Sequence, residues 1–341
     1  MKILIVGMGN VGLMHGWALS EGGVDVTHVV RKGSQSGYSG GVRMDVMDFR
    51  NGAPEFYQTS YPARIVDDIR PGDGYDLVMV ATNYLQSTDA VRQYKDKVPG
   101  ADFLMFCANW KGPAEIDALL PRRRYLWGYS VSSGARGGDG VLYANIQKIY
   151  RIGELEGGKS GLLQKITDIF SKARLVPEIK DDIIGWLWIH QAVNAGLIGT
   201  FLARHGMPSA DTAMEEWVFI VRAVKDALKI LEKRGVDCRE YPEVNVFMME
   251  NDDEAAKLLR QGILGMPHYE RTRAHSHLDT NPEEMKRFYL DVVETGEELG
   301  VAMPCLSSLK ASSGPVDIAA AQGMRSGHCG KGGVVRGKAR S

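Results

Sequence analysis

The sequence predicts an α/β protein in which an amino-terminal, doubly wound sheet is followed by an all-helical carboxy-terminal domain. Three observations predict it. A short apolar run opens the chain and leads into clustered glycines. Strand-like and helix-like segments then alternate over the first half, and the second half holds only helical patterns.

Ile3 to Val6 is apolar throughout, as in a strand buried on both faces of a parallel sheet. Gly7, Gly9 and Gly12 follow at the spacing G-x-G-x-x-G. Each has a steric task in a dinucleotide-binding turn. Gly7 permits the tight turn, Gly9 lets the backbone approach a pyrophosphate, and Gly12 lets the next helix pack on the strand. That helix runs from Asn10 to about Ser20, and it puts Asn10 and Val11 at a positive dipole end facing phosphates. The segment therefore reads as the start of a Rossmann-type domain. Val24 to Val30 alternates and is rich in β-branched residues, so it is the second strand. An NAD site usually ends this strand with an acid for the ribose 2′-hydroxyl. Here Arg31 and Lys32 stand instead, and two cations suit a 2′-phosphate. The expected cofactor is NADP(H).

Asp76 to Thr82 predicts a further buried strand, with a helix from Leu85 to Lys95. Asp102 to Ala108 is the next strand, and a short helix from Pro113 to Leu120 follows. Leu126 to Ser132, Gly140 to Asn145 and Ile149 to Ile152 read as strands, with the glycine-rich Gly134 to Gly140 between them. Beyond these, Ser160 to Lys172, Asp181 to Arg204, Ala210 to Arg234, Asp253 to Gln261 and Pro282 to Leu299 read as helices. Ser209-Ala210-Asp211 and Asn281-Pro282-Glu283-Glu284 look like two of the helix starts. The expected division is 1–172 for the nucleotide domain, 173–324 for the helical catalytic domain, and 325–341 for a basic, glycine-rich disordered tail.

The formal net charge is -1, from 41 Lys and Arg against 42 Asp and Glu, which argues against nucleic-acid or membrane-surface binding. No apolar run is long enough for a spanning helix. Cys107, Cys238, Cys305 and Cys329 form no C-x-x-C pair, which fits a reducing cytoplasm.

A nicotinamide enzyme needs a group for the proton that accompanies the hydride, and donors for the substrate carbonyl. The apolar segment Asp181 to Arg204 carries His190, Gln191 and Asn194 in its middle. His190 and Asn194, four apart, share a helix face and require partners or a cleft. Trp186 and Trp188 read as core and cleft wall, or alternatively as the sign of a bulkier, more apolar substrate. Arg271 and Arg273 suit a substrate carboxylate or a solvated loop, and the spacing of His275 and His277 alone does not make a metal site.

The chain resembles ketopantoate reductases, NADPH-dependent enzymes that reduce 2-dehydropantoate. The resemblance rests on the opening fingerprint with Arg31, Thr82 to Val91, Cys107-Ala108-Asn109-Trp110-Lys111-Gly112, Ser130 to Glu154, and Val292 to Pro304. It implies a helical domain of the 6-phosphogluconate dehydrogenase carboxy-terminal type, a homodimer and a small carbonyl substrate. It also implies that Thr82, Asn83, Gln86 and Asn109 border the cofactor. Asn109, Asn194 and Glu284 would face substrate, with Thr272 or Ser276 as the family serine. The family's catalytic lysine falls on His190, a second asparagine on Ile198, and a further lysine on Asn83. These departures leave the cofactor site intact and change the proton donor and the substrate grip. The unperturbed histidine pKa of roughly 6.5 makes His190 the expected general acid. Three readings stay open: a reductase of a 2-oxo acid, an opine-type or imine-reducing dehydrogenase on a bulkier substrate, and a non-catalytic NADP(H) sensor.

Overall fold

The computed structural model describes residues 1–35 and 40–310; the expected tail, 325–341, lies outside the described residues. The first strands are β1 (Lys2–Val6), β2 (Asp25–Val29), β3 (Val42–Asp48), β4 (Glu55–Tyr61), β5 (Ile65–Val66) and β6 (Leu77–Val80), of which β1 and β6 are apolar and buried almost throughout. They continue as β7 (Asp102–Phe106), β8 (Tyr125–Ser130), β9 (Ser133–Arg136), β10 (Leu142–Ile146), β11 (Ile149–Gly153) and β12 (Val176–Ile179). Helices are α1 (Asn10–Glu21), α2 (Ser87–Tyr94), α3 (Ala114–Asp117), α4 (Gly161–Lys172), α5 (Ile183–Arg204) and α6 (Met214–Lys233). The last ones are α7 (Asp252–Leu264), α8 (Tyr269–Ala274), α9 (His277–Thr280), α10 (Pro282–Glu298) and α11 (Pro304–Ser308).

The main sheet has eight strands in the order β12-β11-β8-β7-β6-β1-β2-β5. It is parallel except where β11 runs antiparallel to β8. Strand β1 pairs with β2 on one side and β6 on the other, so chain order reverses there and opens a crevice at the strands' carboxyl ends. The sheet extends through β12, beyond position 172.

A second sheet, ordered β4-β3-β10-β9, was not expected beyond the segment at β10. In β3, Val42, Met44 and Val46 are buried and alternate with the more accessible Arg43 and Asp45. Its parallel partner β10 lies far along the chain, with Met44 opposite Leu142. At the end of β3 a buried ion cluster ties this sheet to the main domain. Arg50, 2% exposed, donates to Asp48 at 2.7 Å, to Glu21 at 2.8 Å and to the Ala173 carbonyl at 3.1 Å.

In the helical part α5 is apolar almost all round and lies between α6 and α10. A Cβ at Gly196 would come within 2.7 Å of the Val224 backbone nitrogen, so only glycine permits this approach of α5 and α6. Two expectations are corrected. The Ser209-Ala210-Asp211 segment is a turn, in which Thr212 N–H donates to the Ser209 carbonyl and Asp211 N–H to its hydroxyl; α6 begins only at Met214. The helix expected from Pro113 to Leu120 is confined to Ala114–Asp117.

Candidate active site

The glycine turn has the steric logic expected of it. Gly7 sits at φ 117°, and a Cβ there would meet the Ala81 carbonyl oxygen at 2.6 Å. A Cβ on Gly12 would lie 2.4 Å from the Gly7 carbonyl oxygen, whereas one on Gly9 would meet nothing within 4 Å. Two glycines are thus required by the protein itself, and the middle one opens on free space. Gly9 also caps α1 without any side-chain bond, and the first turn carries no acid. Val11 gives its carbonyl to His15 Nδ1, and the Asn10 amide donates to the Gly134 carbonyl, joining the turn to β9. Arg31 and Lys32 are exposed just past β2, in a loop held by the Gly33 N–H on the Asp67 carboxylate at 2.9 Å.

Past β6, the buried Thr82 hydroxyl has no partner among the described residues. Asn83 caps a short turn by accepting from the Gln86 N–H, and Gln86 itself is exposed. Past β7, buried Asn109 accepts from the Gly112 N–H at 2.8 Å, while its Nδ2 is buried without a partner. Ala108, Asn109, Tyr84 and Lys111 help line a cavity of about 90 Å³. Orphaned donors here are expensive unless a bound molecule accepts from them.

On α5 His190 and Asn194 do come together. Asn194 Nδ2 donates to the His190 carbonyl at 2.8 Å and lies 3.0 Å from His190 Nε2. A carbonyl only accepts, so this amide nitrogen is the donor, and Nε2 is the unprotonated ring nitrogen. The ring stacks on Trp186 (5.3 Å, 14°) and contacts Tyr129 at 4.6 Å. Burial, with a further contribution from the Arg151 charge, pushes the imidazole down to about 4. At neutral pH only roughly one molecule in a thousand then carries the imidazolium. The expectation that His190 is the general acid meets this obstacle: enclosed by aromatic rings, the residue is a neutral acceptor.

Glu284 is the opposite case. It lies in the first turn of α10, where Asn281, rather than capping the backbone, donates its amide to the Glu284 carboxyl. Burial raises this carboxyl to about 7, against the hydrogen bond offered by the Tyr84 backbone. Its charge also acts on Tyr129 and Cys107, at the ends of β8 and β7. Tyr129 was missed from the sequence. Its signal was the alternation Tyr125, Trp127, Tyr129, which puts three aromatics on one face of β8.

Other expected residues are engaged elsewhere. Thr272 bonds Ser133 and Asn145, each at 3.1 Å, and the Ser276 hydroxyl accepts from the Leu278 N–H. Arg271 pairs with Asp45 and Arg273 with Glu270, so neither is a free carboxylate clamp. His275 stacks on Tyr143 at 3.7 Å. Among the described residues no cluster of three potential metal ligands occurs, and no helix is long and apolar enough to cross a membrane.

Comparison with known proteins agrees with this fold. Residues 3–157 match the model of the ketopantoate reductase PanE/ApbA family. A 2-dehydropantoate 2-reductase of Pyrococcus horikoshii is 25% identical over 267 residues, covering 77% of this chain and 84% of the relative. Among solved structures, 2-dehydropantoate 2-reductase from Geobacter metallireducens superposes with a TM-score of 0.67 at 18% identity, covering 92% of this chain and 99% of that one. A D-mandelate dehydrogenase in complex with NADH gives 0.69 at 16%, with 95% and 100% covered. The two structures share the fold. Residues 3–157 thus match a ketopantoate reductase PanE/ApbA domain, and the chain as a whole is similar to 2-dehydropantoate 2-reductases.

Proposed function

We propose that this protein is an NAD(P)H-dependent reductase of a 2-oxo acid or related carbonyl compound, with NADPH preferred and Glu284 delivering the proton. The observation that carries the reading is the Glu284 carboxyl, raised to about 7 by burial beside the ends of β7 and β8. A general acid works best when its pKa lies near the working pH, and His190 at about 4 does not meet that condition.

The chain's residues fit a dinucleotide. Gly9 opens on empty space at the amino terminus of α1, and the buried donors of Thr82 and Asn109 lack acceptors. Arg31 and Lys32 are exposed where a 2′-phosphate would lie, which favours NADPH. A reduced nicotinamide, when bound, supplies a hydride to the carbonyl carbon. As that bond forms, the C=O electron pair moves to oxygen, and Glu284 releases its carboxyl proton to it. The alcohol leaves, and the Glu284 carboxylate takes a proton back from water. Asn109 Nδ2 offers a donor to the same oxygen or to an adjoining carboxylate. Asn194, anchored by its amide nitrogen to His190, keeps its Oδ1 for substrate, so His190 acts by positioning.

The test is oxidation of NADPH or NADH in the presence of 2-oxo acids, followed by nicotinamide absorbance. Consumption of NADPH with formation of the 2-hydroxy acid supports the reading. Arg31→Ala should raise KM for NADPH about tenfold and leave that for NADH nearly unchanged. A wild-type preference for NADH counts against the cofactor assignment, and binding without turnover across the panel counts against the enzyme.

A further inference from the structure

Hydride addition leaves negative charge on the substrate oxygen, and a single proton donor does not occupy every position around it. A carbonyl oxygen has two lone pairs, and donors fixed at both of them lower the barrier most. Glu284 meets one lone pair. A second donor has to stand at the carboxyl ends of β7 and β8, near Glu284, and be free of partners within the protein.

Tyr129 meets these conditions. In the parallel pairing of β7 with β8, Phe106 lies opposite Gly128, so Tyr129 is level with Cys107 and two residues short of the level of Asn109. Its ring packs against the cluster of Ala108, Ile198 and Phe288, which joins the end of β7 to α5 and α10. It lies 4.6 Å from the His190 ring and 5.9 Å from Trp186, so α5 fixes its position. Neighbouring tyrosines differ at the hydroxyl. Tyr84 donates to Asp291 and Tyr125 to Asp117, each at 2.7 Å, and the Tyr150 hydroxyl is sealed in the interior. The Tyr129 hydroxyl has no hydrogen bond among the described residues, and it is not shut in as that of Tyr150 is, since its residue is only partly buried. Burial, and then the nearby Glu284 charge, hold this phenol above its usual range, so it keeps its proton at neutral pH and remains a donor.

We infer that the Tyr129 hydroxyl is a further catalytic residue, which donates a hydrogen bond to the substrate's keto oxygen while hydride adds to the carbonyl carbon. This rests on the reductase reading above. The hydride brings an electron pair to carbon, the C=O pair moves to oxygen, and the new O–H bond takes its proton from Glu284. Tyr129 gives up nothing and is unchanged at the end. With two donors on the keto oxygen, the buried Nδ2 of Asn109 is left for the adjoining carboxylate.

Tyr129→Phe removes the hydroxyl and keeps the ring against His190 and Trp186. The experiment follows NADPH oxidation by pyruvate, 4-methyl-2-oxopentanoate and 2-dehydropantoate from pH 5 to pH 9, in steady state and in single turnovers. Loss of one oxyanion donor should lower kcat about 10²-fold, with KM changed by less than about threefold. The alkaline fall near pH 7 should persist in the variant, because Glu284 still supplies the proton. Its melting temperature should match that of the wild type, because the hydroxyl bonds nothing in the protein. A kcat within about threefold of wild type, a raised KM at unchanged kcat, or a variant that no longer folds would each overturn the inference and leave the reductase reading standing. Disappearance of the alkaline limb would make Tyr129 part of the proton transfer and would also overturn it. If the wild type oxidises no NADPH with any of the three acids, the reductase reading fails and the inference falls with it.

Discussion

Replacing Glu284 with glutamine keeps the shape of the side chain and removes its proton. The carboxyl is raised from 4.5 to about 7, a displacement that corresponds to about 3 kcal/mol against ionisation. At pH 7 the acid form is roughly half populated rather than about 0.3%, so burial increases the available acid by about two orders of magnitude. Loss of a general acid typically costs about 10²- to 10⁴-fold in turnover, or about 2.7 to 5.4 kcal/mol of transition-state stabilisation. Glu284→Gln should therefore lower kcat for carbonyl reduction within that range with little change in NADPH affinity. The pH profile supplies the specific signature. Wild-type kcat should fall tenfold per pH unit above about 7, and this limb should be absent from the residual activity of the variant. The assay is single-turnover hydride transfer from pre-bound NADPH, from pH 5 to pH 9. A variant within threefold of wild type, or one that is slow but keeps the limb near 7, refutes the role given to Glu284.

The same carboxyl makes a stability prediction. Its folded pKa lies above its unfolded value, so the folded state binds more protons between 4.5 and about 7, and stability falls as pH rises through that window. Glu284→Gln should stabilise the fold by up to about 3 kcal/mol at pH 8 and by almost nothing at pH 4, as read by urea denaturation. His190→Gln should lower kcat less than about tenfold and leave the alkaline limb in place, since a neutral ring donates no proton there; a loss of about 10²-fold or more in kcat would return the acid role to His190. Gly9→Ala should leave the melting temperature unchanged and weaken NADPH binding at least about tenfold. Gly12→Ala, with its Cβ 2.4 Å from the Gly7 carbonyl oxygen, should destabilise the fold itself. Asp48→Asn leaves buried Arg50 with Glu21 as its remaining carboxylate and should cost about 1 to 3 kcal/mol by denaturant titration.

What was legible in the sequence was what depends on neighbours along the chain. The turn from Gly7 to Gly12 is specified by sterics within a few residues, and α5 is visible because its apolar character extends through more than five turns. The second sheet was not legible as a unit, although β3 alternates clearly. Its partner, β10, lies far along the chain, and the exposed β4 has no continuous buried face. His190 and Glu284 illustrate the limit at the site. Both were named from the sequence, with the proton assigned to His190 on its ordinary pKa. Trp186, which stacks on one, lies on the same helix, but the Tyr129 ring packed against it and the burial of the other beside Tyr84 come from elements distant in the chain. Those contacts reverse which residue carries a proton at neutral pH. Tyr129 shows the same thing, since nothing local indicates that its ring lies on His190 and its hydroxyl in the field of Glu284.

The most direct test is a crystal structure of the protein with NADP⁺ and a 2-oxo acid. The keto oxygen should lie within about 3 Å of the Glu284 carboxyl. His190 Nε2 should still accept from Asn194. A keto oxygen bonded to His190 Nε2, with Glu284 turned to solvent, would contradict the account.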